Sequence, residues 1–246
     1  MREEVLIIGG GFAGLSTAYH LALKGVRGVV ILEREREIGA HASGKNAGMI
    51  RQAIPDPALA RMAHEGRERL AGLKGPGWKG VSLKKRGSML LAARRDFSKL
   101  AVIEKTMREA GVEIKRFSPE EAGRRVSVLR SGSFQEALFC PSDGFVDVEA
   151  LLRGFVKEVR RLGVRLFLGR AAEKIVRKSE GYEVLSSGEK WRARVLVNAA
   201  GAWAGLIGQR AGAAGISLAA YKRHIFISGP FSPVRETWPF VWDITD

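Results

Sequence analysis

Three glycines, Gly9, Gly11 and Gly14, stand between the apolar stretch Val5 to Ile8 and a helix-like stretch that ends near Gly25. A buried strand that enters a tight glycine turn and leaves as a helix aims backbone N–H groups and the positive end of the helix dipole at one point, where a diphosphate can sit. The first glycine permits the sharp turn, the second lets phosphates approach the backbone without meeting a side chain, and the third lets helix and strand pack closely. Ala18 and Ala22 extend the small inner face of that helix. Glu33 closes the next apolar run, Val29 to Leu32, nineteen residues after Gly14. A carboxylate there accepts hydrogen bonds from both hydroxyls of an adenosine ribose. Glycine turns of this spacing also arise from packing alone, but here strand, turn, helix, strand and acid stand in the required order, which reads as a dinucleotide site. The motif begins at residue 9, so no signal peptide is expected ahead of it, and the strand is too short and glycine-broken to span a bilayer.

A chain of 246 residues with 46% apolar content is ample for a packed core, in one large domain or two smaller ones. Cys140 is the single cysteine, which excludes an intrachain disulfide and a cysteine metal site and accords with a reducing, cytoplasmic setting. His20, His41, His64 and His224 show no ligand spacing, so no metal is expected. The net charge of +15 raises a nucleic-acid reading. The bases are dispersed, however, in short groups such as Lys84 to Arg86, Arg94 with Arg95, and Arg124 with Arg125, with no aromatic residues interleaved for stacking. On the predicted helix Val148 to Leu162, apolar positions 148, 151, 152, 155, 156, 159 and 162 make one face and Arg153, Lys157, Arg160 and Arg161 fall largely on the other. That is a solvated face, and no nucleic-acid partner is expected. Asparagine occurs only at 46 and 198 while Arg, Lys and Glu abound, a balance that suggests heat adaptation.

Beyond Glu33 the sequence predicts a loop over 34 to 44, a helix from about Pro57 to Leu73, and a boundary at the Gly-rich stretch Gly75 to Gly80. Strands are predicted at Ser88 to Ala93 and Val112 to Arg116, with a helix between them from Phe97 to Ala110. Ser118, Pro119 and Glu121 make a capping box. Asp147 is the expected N-cap of the amphipathic helix, which Gly163 stops. Strands follow at Val164 to Leu168, Ala172 to Val176 and Tyr182 to Leu185, and then at Val195 to Gly201, whose fully apolar run belongs beside the first strand in a parallel sheet.

With these pieces in place the chain resembles FAD-dependent amine and amino-acid oxidoreductases of the glycine oxidase, sarcosine oxidase and D-amino-acid dehydrogenase type. The matching segments are Val5 to Ser16, Ile31 to Arg34, Ala42 to Ile50, Pro141 to Asp147 and Asn198 to Ala204, in family order over nearly the whole chain. The resemblance implies an α/β fold, with a Rossmann-like FAD-binding domain of glutathione-reductase type and an inserted, mainly antiparallel β substrate domain. Residues 1–80 and 146–215 would form the first, and 81–145 with 216–246 an incomplete second. Relatives continue past the point matching residue 246, so a truncated chain is expected, with an unpaired strand edge and a half-open flavin pocket.

By resemblance, Gly9, Gly11, Phe12, Ala13 and Gly14 hold the FAD diphosphate, Glu33 the adenosine ribose, and Arg34 lies beside the adenine. Ser43, with Ala42 next to it, reaches a phosphate, and Asn46, Ala47, Gly48 and Met49 pass along the flavin ring. Ala172 occupies the position whose backbone pairs with the adenine edge, while Ala200, Gly201 and Trp203 close the diphosphate side. Asn46 as a helix cap, Met49 as a core residue and Trp203 as packing are the plainer readings. His41 lies in the loop where some relatives link flavin covalently, but its offset from Ser43 does not match theirs, so FAD is expected to be noncovalent. Tyr221 to Ser228, with Lys222, Arg223 and His224, is read as a returning strand near the substrate. Met49, Arg51 and His224 are the substrate candidates.

The implied activity is oxidation of a C–N bond in a small amine or amino acid. No catalytic acid or base pair stands out, as expected where the cofactor carries the chemistry. The alternatives are an FAD-dependent 2-hydroxy-acid or glycerol-phosphate type dehydrogenase, and a noncatalytic flavin-binding subunit. Contact with a membrane surface or an electron acceptor, and oligomerisation, are open partner readings.

Overall fold

The computed structural model describes residues 2–130, 132–213 and 217–244, except the side chain of Arg2. The expected domain boundary at 215/216 and the last two residues lie outside them. In chain order the first elements are β1 (Arg2–Ile8), α1 (Phe12–Leu23), β2 (Val29–Leu32), β3 (Met49–Ile50), α2 (Pro57–Ala71), β4 (Leu83–Lys84) and β5 (Ser88–Ala92). Then come α3 (Phe97–Glu109), β6 (Lys115–Phe117), α4 (Pro119–Arg125), β7 (Glu136–Cys140), β8 (Gly144–Val146) and α5 (Val148–Arg161). The last are β9 (Arg165–Phe167), β10 (Lys174–Lys178), β11 (Gly181–Ser186), β12 (Glu189–Asn198), α6 (Ala204–Arg210) and β13 (Phe240–Asp243).

The chain packs as two units. One holds residues 1–46, 75–80 and 148–225; the other holds 47–74, 81–147 and 226–246. Residues 47–74 therefore fold with the second unit, whereas the sequence reading gave them to the first. In the first unit a six-stranded sheet runs in the order β10, β11, β12, β1, β2, β9. Strands β12, β1, β2 and β9 are parallel, with Val5 opposite both Val195 and Val29. Successive side chains of a strand point to opposite faces, and both faces are apolar here. Val5, Ile7, Val29 and Ile31 pack against Leu15, Ala18, Leu152 and Val159 of α1 and α5. Leu6, Ile8, Val30 and Leu32 pack with Ile175, Val184, Ala193 and Ile207. This is the Rossmann-like layer that the glycine turn calls for.

The second unit is built on a sheet of order β13, β5, β7, β6, antiparallel except for β13 beside β5. Leu90 and Leu138 meet Leu100, Ile103 and Met107 of α3 on one side. Met89, Phe139 and Phe134 meet Ala122 of α4 on the other. A small antiparallel sheet of β3, β8 and β4 completes the unit. The capping box forms: Ser118 Oγ accepts from the Glu121 N–H at 3.3 Å and a Glu121 oxygen from the Ser118 N–H at 2.8 Å.

One element fails to form. Residues 221–228 have no regular structure, and Tyr221, Phe226 and Ile227 are 86%, 93% and 92% exposed. The strand that the resemblance implies there finds no partner strand among the described residues. Strands β3, β4 and β8, of two or three residues, are too short to carry a readable period.

In the second unit Glu104 accepts from Arg108 at 2.9 Å and from Arg116 Nε at 2.6 Å, and Arg116 also reaches Glu136. The Arg116 hydrogen bond holds the Glu104 carboxyl below its ordinary pKa, with Arg108 adding to it. A depressed carboxyl stabilises the fold above its usual titration range, and that stability is lost as pH falls through the folded-state value. Replacement Arg116→Met should lower the melting temperature by about 2 °C at neutral pH and low salt. The difference from the unsubstituted chain should shrink in acid, as calorimetry across a pH series will read.

Candidate nucleotide-binding site

The turn after β1 is closed by backbone on both sides. Gly9 has φ of 110°, in the region L side chains avoid, and a Cβ there would strike the carbonyl of Ala199 at the end of β12. A Cβ on Gly14 would overlap the carbonyl oxygen of Gly9. Helix α1 therefore begins directly on the turn. A Cβ on Gly11 would lie 2.7 Å from Ser43 Oγ. That hydroxyl accepts from the Phe12 N–H at 3.0 Å, and Gly11, the N-cap, has no side chain to do so. Ser43 thus supplies the missing cap oxygen from far along the chain and sets a hydroxyl at the positive end of α1.

Glu33 faces this turn. Its Oε2 accepts from the Gly10 N–H at 2.6 Å and its Oε1 from the Glu35 N–H at 2.9 Å. Each carboxylate oxygen has two lone pairs, so acceptor capacity remains for a diol. The strand end is held by Phe167, which accepts from the Glu33 N–H at 2.9 Å, and by the Arg170 N–H, which donates to the Glu33 carbonyl at 2.7 Å.

Beside Glu33 an aromatic and charged cluster forms. The Arg34 guanidinium stacks 3.6 Å from the Trp203 ring centre, and the His41 ring lies 4.7 Å from the same ring. Arg34 Nε donates to Glu35 at 2.7 Å, and His41 Nε2 is 2.8 Å from the same Glu35 oxygen. The carboxylate only accepts, so Nε2 carries the proton of that hydrogen bond. These contacts, His41 first and Arg34 second, hold the Glu35 carboxyl below the usual carboxylate range. The engagement of His41 and Glu35 was not foreseen from the sequence, where Arg34 to Glu37 reads as a charged loop.

The other predicted residues fall as follows. Ala42 and Ser43 offer their carbonyls to Asn46 Nδ2 at 3.1 and 2.9 Å, which folds the loop. Ala200 lies against Gly9, and its carbonyl accepts from the Trp203 N–H at 2.9 Å, while Gly201 starts a short exposed 3-10 turn. Ala172 is buried just ahead of β10, with its carbonyl taken by Arg210 at 2.8 Å. Ala47, Gly48 and Met49 belong to the second unit, where the Gly48 carbonyl accepts from the Val146 N–H at 2.8 Å and Met49 is 46% exposed. Arg51 stacks 4.3 Å from the Trp242 ring centre. The two line a cavity of about 530 Å³ with Leu90, Lys99 and Ile103 in the second unit. His224 is exposed on the irregular stretch that replaces the expected strand.

Among the described residues no group of His, Cys, Asp or Glu could hold a metal ion, and no helix is long and apolar enough to cross a membrane. Cys140 is buried, and desolvation above all pushes its thiol up to about 12, so it is no nucleophile.

The residues present fit a dinucleotide: a side-chain-free turn, a hydroxyl at the helix start, and a carboxylate at the following strand end. Known proteins agree. The family described as DAO, FAD dependent oxidoreductase, matches residues 4–246. Mitochondrial dimethylglycine dehydrogenase of Rattus norvegicus is 29% identical over 215 residues, covering 86% of this chain and 25% of that protein. Among solved structures, L-proline dehydrogenase from P. horikoshii superposes with a TM-score of 0.81 at 23% identity, over 99% of this chain and 65% of that one. Glycine oxidase from Geobacillus kaustophilus gives 0.74 at 25% identity, over 86% and 58%. The chain thus spans a quarter of the curated relative and about 60% of the two solved proteins. With residues 4–246 matched, the chain belongs to the FAD-dependent oxidoreductases.

Proposed function

We propose that this chain binds FAD noncovalently through the Gly9 to Gly14 turn and serves the oxidation of a C–N bond in a small amino acid or N-methylated amine. The observation that carries the reading is the turn itself: Gly9 and Gly14 bring strand end and helix start together, and the Ser43 hydroxyl and the Glu33 carboxylate stand on the turn's own N–H groups. Glycine oxidase and dimethylglycine dehydrogenase, two of the similar proteins, point to the amine class. Bound FAD would supply the acceptor for the hydride equivalent, a proton with two electrons, lost by the carbon bearing nitrogen.

The protein's part is orientation. The Arg51 guanidinium is a forked donor suited to a substrate carboxylate, and Trp242, Leu90 and Ile103 give its cavity the apolar wall that N-methyl groups prefer. Met49 and His224 remain substrate candidates. Ser43 and the backbone N–H groups at the start of α1 stabilise the negative phosphates, and the Arg34 and Trp203 stack offers a flat surface to the adenine. His41, engaged by Glu35 and Trp203, accords with a noncovalent cofactor.

Two outcomes follow. Glu33→Gln replaces an ionised acceptor by a neutral amide and should weaken FAD binding about tenfold with the fold retained, read by flavin fluorescence titration of the apoprotein. In the FAD-loaded chain, anaerobic sarcosine or glycine should bleach the flavin, and Arg51→Met should raise the half-saturating concentration about tenfold or more. Bleaching by 2-hydroxy acids and not by amines would transfer the reading to the hydroxy-acid dehydrogenases. A chain that takes up no FAD would overturn it.

A further inference from the structure

The second unit contains a buried carboxylate that the proposed chemistry does not use. Asp143 lies in the turn between β7 and β8 and is wholly buried, as is Gln52, the neighbour of Arg51. Asp143 Oδ1 accepts from Gln52 Nε2 at 2.7 Å and from the Gln52 backbone N–H at 3.2 Å. Asp143 Oδ2 accepts from Ser88 Oγ at 2.6 Å and lies 3.3 Å from the same Gln52 N–H. Gln52 Nε2 also donates to Ser142 Oγ at 2.8 Å. Those bonds fix the amide's orientation, so its Oε1 faces His64 Nδ1 on α2 at 2.9 Å and accepts its proton. Residue 52 is thereby held from β5, from the β7 to β8 turn and from α2 at once.

Every group facing Asp143 in this network is a donor. The carboxylate accepts from all of them at the cost of burying a charge, and because the Ser88 hydroxyl can also accept, an amide could keep the network where an apolar side chain could not. Among the described residues no ion pair to Asp143 forms; its charge acts through space on Arg51, opposing the pKa lowering caused by partial burial.

We infer that Asp143 is the positioning residue for Arg51: by clamping Gln52 through backbone and side chain together, it fixes the direction in which the adjoining guanidinium meets a substrate carboxylate. The inference rests on the reading of Arg51 given above. A chain anchored at residue 52 cannot swing at residue 51, and a forked contact tolerates little misalignment.

The test uses acetate as a minimal carboxylate probe, titrated against the Arg51 Nε–H signal in the NMR spectrum of the FAD-free chain. Asp143→Leu, which removes every acceptor from the clamp, should weaken acetate about tenfold. In the FAD-loaded protein the half-saturating sarcosine concentration should rise in parallel. That of dimethylamine, the same secondary amine without the carboxylate, should change less than about twofold. Gln52→Leu, which keeps the volume and the backbone N–H but removes the side-chain clamp, should shift acetate and sarcosine in the same direction if Asp143→Leu does not fold. Equal acetate affinity in the unsubstituted chain and in a folded Gln52→Leu chain, or sarcosine and dimethylamine constants rising together, would overturn the assignment. An Arg51 signal indifferent to acetate in the unsubstituted chain would instead refute the role given to Arg51.

Discussion

The space between Gly14 and the carbonyl of Gly9 is too small for a single carbon, and the first unit depends on that contact. Because α1 starts directly on the turn, its axis is fixed relative to β1, and its small inner face brings Leu15 and Ala18 onto Val5, Ile7, Val29 and Ile31. The far side of the turn is fixed equally, since Gly9 lies against Ala199 and Ala200 at the end of β12. Two parallel strand ends and one helix start thus converge, with the Gly10 N–H on Glu33 and the Phe12 N–H on Ser43. The placing of Ser43 and Glu33 at its rim follows from that packing.

The two units handle polar groups in opposite senses. At the glycine turn Glu33 keeps acceptor capacity beyond its two backbone donors. Around Asp143 the donors turn inward and are consumed by one another and by the carboxylate. A satisfied buried network of this kind rigidifies what it holds, while an open set of donors recruits an anion. The same chemistry therefore serves recognition in one place and alignment in the other.

Part of the basic composition is taken up in ion pairs. Arg153 and Arg161 on the outer face of α5 are ion-paired with Glu149 and Glu158, and Arg194 with Glu4. Arg34 is taken up by Glu35 and Trp203, and Arg116 by two glutamates. Networks such as Glu104 with Arg108 and Arg116 gain weight at high temperature, because the cost of desolvating charges falls on heating.

How much of this was legible depended on how local each determinant is. The turn, the alternating faces of β1 and β2, the apolar stripe of α5 and the Ser118 capping box are written in residues a few positions apart, and the structure has them where the pattern puts them. Residues 221–228 resemble a returning strand, yet a strand exists only where another strand offers hydrogen bonds, and resemblance alone does not supply one. Asp143 shows the converse. In the run Ser142, Asp143, Gly144 an aspartate reads as a turn former. What makes it a buried anchor is the approach of Gln52 and Ser88, 91 and 55 positions away. Such a role is set by the β3 to β8 pairing and the β5 to β7 pairing together, so it becomes visible only after both have formed.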